Sequence, residues 1–167
     1  MSTRTTLRQL RDALRAALGP EGALGPDGAG LADVFERFDG EPAEAIDEHV
    51  LELRGEAGAS VLVGFLSDDA LAANEAGQAL GYTFRPMVAL VRRRSLREGE
   101  AGATGATVDA EALDDLYDAA AATLTAAGLR VLGGRALAGD TTHWIGRLLT
   151  CETTRDLIPD EAAARFA

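Results

Sequence analysis

Two histidines, one cysteine, one serine and two acidic pairs are where this chain comes nearest to a reactive constellation. His49 stands beside Glu48 and three residues before Glu52, and a helix would bring His49 and Glu52 together as two metal ligands. A zinc-type site needs three or four ligands. The other histidine, His143, belongs to a distant segment, so His49 reads as a surface side chain. Asp68-Asp69 and Asp114-Asp115 are adjacent pairs whose side chains diverge in a helix or a strand, so neither makes a carboxylate dyad. Ser60 lacks a Gly-x-Ser-x-Gly elbow, and Cys151 has no histidine close in sequence, so it reads as an inert buried thiol. All 16 cations are arginine, which removes the phosphate-loop lysine, the Schiff-base lysine and pyridoxal attachment. No catalytic residue, metal or cofactor is expected, and no enzyme reading survives.

What the residues do specify is a scaffold. The run from Ser60 to Leu66 is almost continuously apolar, as in a strand buried on both faces. From Tyr82 the pattern alternates: Tyr82, Phe84, Pro86, Val88 and Leu90 share one face, and Thr83, Arg85, Met87, Ala89 and Val91 the other. Pro86 cannot donate to a ladder, so it argues for an edge strand or a bulge there, and an edge invites pairing with a neighbour. Leu129 to Leu132 and a long stretch through Trp144, Ile145, Leu148 and Leu149 complete the set. Trp144 is core or interface, and His143 is partly exposed. The expected fold is α+β: one mixed or antiparallel sheet of about four strands, near 60–66, 82–94, 129–133 and 142–153, with helices packed on it. Residues 1–154 form a single domain in this reading, and 155–167 a C-terminal extension.

The first helix carries Leu7, Leu10, Leu14 and Leu18 as one apolar stripe, capped near Ser2, Thr3 or Thr5 and stopped at Gly19-Pro20. Arg4, Arg8, Arg11 and Arg15 make a second stripe about a quarter turn away. It is either a solvated face or a docking surface for an acidic patch on a neighbouring subunit, and Arg92, Arg93 and Arg94 add cations at the end of the second strand. Residues 19–30 are a Gly/Pro connector, followed by a short apolar cluster of Leu31, Val34, Phe35 and Phe38. Pro42 opens a second helix whose buried face is Ile46, Val50 and Leu53. Residues 67–81 and 95–108 read as polar excursions, the latter with a mobile tip. Asp109 caps a third helix, with Glu111, Asp114 and Asp115 in its first turn. Leu113, Leu116, Tyr117, Ala120 and Leu124 face the sheet, and Gly128 is its stop.

Composition sets the outer bounds. A chain of 167 residues, 47% hydrophobic but only 5% aromatic, supports one domain with a modest core. A net charge of −11 argues against sequence-independent nucleic-acid binding, which needs a basic surface. No apolar run is long enough to span a membrane, so no membrane partner is expected. One cysteine fits a reducing compartment, and an N-terminal stretch without an apolar signal core fits a chain made in the cytosol.

The segments Ala59-Ser-Val-Leu-Val-Gly-Phe65, Phe84-Arg-Pro-Met-Val-Ala-Leu-Val-Arg92, the helix from Ala110 to Ala127 and Trp144-Ile-Gly-Arg-Leu-Leu-Thr-Cys-Glu-Thr153 together resemble a Mu-like phage tail protein. That family is similar in layout to the tail terminator proteins of long-tailed phages and contractile injection particles. The resemblance covers roughly residues 5 to 154 and lies in the order and character of segments rather than in an invariant signature. It departs at the loop 19–30 and at the two excursions. It implies a structural virion protein that closes into a ring, usually of six copies, on the end of a tail tube and joins it to the neck. The implied partners are its own copies, the tube protein, a sheath protein in a contractile tail, and neck proteins. DNA passes through such a ring without specific binding, which an acidic lining suits. Two alternatives stay open: a neck or tail-completion protein at the same junction, and a small cytosolic ligand-binding or regulatory α+β module.

Overall fold

A computed structural model describes residues 3–21, 30–38, 46, 58–73, 79–94, 103–137 and 143–156, at some segment ends by the backbone alone. Within them lie α1 (Thr3–Leu18), β1 (Val34–Arg37), β2 (Ala59–Ala73), β3 (Ala79–Arg93), α2 (Ala103–Ala126), β4 (Arg130–Ala136) and β5 (Trp144–Asp156). The fold is α+β, with one mixed five-stranded sheet ordered β1-β2-β3-β5-β4. β1 pairs parallel to β2, and the other three pairings are antiparallel. α2 carries the chain from β3 across to β4, which leaves room for β5 to insert between them.

Both helices cover the same face. Leu7, Leu10, Leu14 and Leu18 of α1 and Leu113, Leu116, Ala120 and Leu124 of α2 pack on Val61, Val63, Val88, Leu90, Leu149 and Cys151. The opposite face has its own smaller cluster, in which Phe38, Ile46 and Leu137 join Leu62, Met87, Ala89, Val91, Trp144 and Leu148. Double coverage is why the middle of β2 and β3 is apolar at successive positions: Val61, Leu62 and Val63 have no solvent exposure, and neither do Val88 to Val91. Trp144 is therefore core.

Several expectations change. The sheet has a fifth strand, β1, where the sequence showed only an apolar cluster; four residues are too few to reveal a period, and the partner is remote, Val34 lying opposite Ser60. The excursion expected at 67–81 is largely strand, because β2 and β3 continue their backbone ladder past the apolar part as far as Ala73 and Ala79. α2 starts at Ala103, six residues before the expected cap at Asp109. Pro86 does not mark an edge, since β3 is the central strand.

Its bulge, however, is real. β2 carries an extra residue, Leu66, between the pairs Phe65–Pro86 and Ser67–Arg85, and the β3–β5 ladder skips Arg85 and Pro86 without losing register. The true edges are β1 and β4. β4 is also longer than expected. Gly133 and Gly134 lie inside it, and a Cβ at Gly134 would lie 2.6 Å from the Tyr117 ring of α2, so glycine lets β4 pass close under that helix. Gly128, at φ 84°, does end α2, with the Leu129 amide donating to the Leu124 carbonyl at 3.0 Å. Of the second helix only Ile46 is described, helical and fully buried; its other residues, His49 among them, lie outside the described residues.

Candidate functional site

The expected interface residues fall into two groups. On α1, Arg8 and Arg15 are exposed and Arg11 is half-buried, paired with its neighbour Asp12 at 2.8 Å. The side chain of Arg4 lies outside the described residues. With the leucine stripe wholly buried against the sheet, these cations line the flank of α1, as their offset of about a quarter turn requires.

The second group is more internal. Arg92 turns inward, its Nε 3.2 Å from Oδ1 of Asp109, whose side chain is only 4% exposed. That contact explains why Asp109 is no helix cap: its carboxylate sits within α2 and neutralises a cation from β3. The Arg93 amide donates to the Gly58 carbonyl, and the Arg94 amide to the carbonyl of exposed His143. Of this trio Arg93 is the exposed member.

Other candidates for chemistry lie apart. Cys151 is fully buried, and the loss of solvation pushes its thiol up to about 11, far from a reactive thiolate. Ser60 is buried, its hydroxyl without a hydrogen-bond partner among the described residues. Asp114 pairs with Arg147, which also lies over the Tyr117 ring at 5.3 Å, while Asp115 points to solvent. Among the described residues no three His, Cys, Asp or Glu side chains converge as metal ligands. No helix there is long and apolar enough to cross a membrane.

One surface escaped the sequence reading. β4 is exposed along nearly its whole length, and its bulge, between the pairs Val131–Cys151 and Gly133–Thr150, leaves Leu132 at 45% exposure. Arg135 pairs across the ladder with Leu148, so it shares that residue's face, the one opposite the helices. On the same face Glu152 of β5 bridges Arg130 of β4 and Arg85 of β3, the latter at 3.5 Å. Leu132, Arg135, Leu148 and Thr150 line a shallow groove beside this ladder. The signal was faint, since Arg130 becomes a neighbour of Arg85 only through strand order. No protein-family model matches the sequence, and no curated protein matches it.

Proposed function

We propose that this chain is a structural tail subunit, a tail terminator that assembles head to tail into a ring, usually of six copies, capping a tail tube and joining it to the neck. The observation that carries the reading is the pairing of segment order with surface. The order of segments in the sequence, which resembles that of tail terminators, goes with exposed arginines on an otherwise acidic chain, on the flank of α1 and along β4. Cations set among excess acid suit a contact between copies of one chain, where each cationic patch meets the acidic surface of the next. Its setting is the virion tail, assembled in a bacterial host cytoplasm, and DNA passes through the ring without sticking to an acidic lining.

The test is solution mass by light scattering, measured for the chain alone and with tail tube protein. A multi-copy ring that forms alone or on tube ends is the expected result. Tails of normal, uniform length that join heads in particles lacking this chain would overturn the reading.

A further inference from the structure

We propose that the open face of β4 and β5 is one half of a head-to-tail contact, whose other half is the outer stripe of α2 on a second copy of this chain. At about 100° per residue, the buried positions Leu113, Leu116, Ala120 and Leu124 define one side of α2, and Glu111, Asp115, Asp118 and Ala122 fall directly opposite. All four of these are exposed. The receiving surface has complementary charge: Arg85 and Arg130 flank the carboxylate Glu152, Arg135 lies further along β4 opposite Leu148, and Leu132 stands out between Arg130 and Arg135.

The spans agree as well. Asp118 to Ala122 covers about 6 Å of helix and Arg130 to Leu132 about 7 Å of strand, so Arg130 can reach Asp118 while Leu132 sits against Ala122. Within one subunit the two patches cannot meet, because α2 lies on the opposite face of the sheet from Arg135 and Leu148. Each copy therefore offers a donor on one side and an acceptor on the other. Such a contact propagates from copy to copy and closes into a ring if the rotation permits. The second copy is favoured over nucleic acid because the chain carries a net charge of −11, which disfavours a phosphate backbone.

The closure of the contact rests on the ring reading, so the experiment separates the two. Leu132→Cys and Ala122→Cys variants, mixed at low ionic strength with a short bismaleimide, should give cross-linked dimers and higher species. Either variant alone should give far less. Buried Cys151 stays out of the reaction.

Adding Arg130→Glu and Arg135→Glu to the Leu132→Cys chain should cut the yield at least about tenfold, as expected for like charges brought together. Adding Glu111→Arg, Asp115→Arg and Asp118→Arg to the Ala122→Cys chain should then restore it. If the wild-type chain forms rings but these variants cross-link no better than either alone, the contact is elsewhere and the ring reading stands. A yield indifferent to the charge reversals likewise places the contact elsewhere. A wild-type chain that stays monomeric alone and with tube protein overturns both. Duplex DNA retained by the wild type and released by Arg130→Glu/Arg135→Glu would reassign the strip to nucleic acid.

Discussion

The two faces of the sheet are made by the same strands yet are finished differently. On one, two helices lay eight buried side chains over β2, β3 and β5. On the other, Phe38, Ile46 and Leu137 cover the centre as far as Leu148, and the edge strand β4 is exposed. Two of the register shifts in the sheet each leave one leucine in solvent: Leu66 at 47% and Leu132 at 45%. Coverage follows from helical stripes that the sequence must spell out in advance. Openness is decided by strand order, and it collects charge, since arginines from β3 and β4 meet across β5 on the face opposite α1 and α2.

The sharpest break of the comparison is a matched pair of leucine deletions. Leu14 has no solvent exposure, so Leu14→Ala should cost about 2–5 kcal/mol through lost transfer energy and a residual cavity. Leu132→Ala, on the open side, should stay within about 0.5 kcal/mol. Urea unfolding of the two variants measures both. Equal losses would mean that the open face is covered in solution.

Next in size come the ion pairs. Arg92→Ala removes a cation from beside the buried carboxylate of Asp109 and should cost about 2–3 kcal/mol, the range for a broken buried pair reduced for the partial exposure of Arg92. Arg92→Met with Asp109→Leu should recover most of it. Arg130→Ala removes a guanidinium that is 72% exposed and should cost less than about 1 kcal/mol. Thermal unfolding of the three variants ranks them, and a costly Arg130→Ala would show that the Glu152 ladder organises the edge of the sheet.

Cys151 gives a pH prediction of similar size. Its thiol titrates near 9.0 when unfolded and about 11 when folded. Between these values the unfolded chain loses a proton that the folded chain keeps, so stability falls as pH rises above 9 and levels off near 11. The fall should be about 2–3 kcal/mol, and Cys151→Ala should abolish that part of the slope. Denaturant titrations at pH 8, 9.5 and 11 (roughly spanning the window in which a thiol titrates) test it, and a slope unchanged in Cys151→Ala would place its origin elsewhere.

Much of the covered face was legible because its signals are local. The leucines of α1, the apolar run of β2 and the Leu113–Leu124 face of α2 each declare their element within one window; the run expected to be buried from Ser60 to Leu66 is buried to Gly64, and Phe65 and Leu66 are exposed. What escaped was long-range. β1 is four residues long and gains its identity from Ser60 to Val63. The ladder beyond Phe65 is held by backbone pairing through alanine and aspartate, which have little intrinsic preference for strands. Asp109 reads locally as a helix cap, and only the fold reveals that it answers Arg92, seventeen positions earlier. The α1 arginines were visible from spacing alone, whereas the β4 strip needed the strand order.

The smallest expected effect on stability belongs to those α1 arginines, and it separates a solvated flank from a docking flank. Arg8 and Arg15 are exposed, beside leucines wholly engaged with the sheet, so Arg8→Glu with Arg15→Glu should change monomer stability by no more than about 0.5 kcal/mol. If α1 docks against acid on a neighbouring copy, the same pair of reversals should weaken assembly by a far larger factor, because like charges held together cost several kcal/mol. Added salt should weaken the wild-type contact in the same direction, since a Debye length of about 8 Å at physiological ionic strength contracts to about 3 Å at 1 M. Light-scattering mass at low and high salt reads both arms. A double variant that assembles normally at low salt leaves the α1 arginines to solvent and concentrates the cationic half of the interface on the open face of β4.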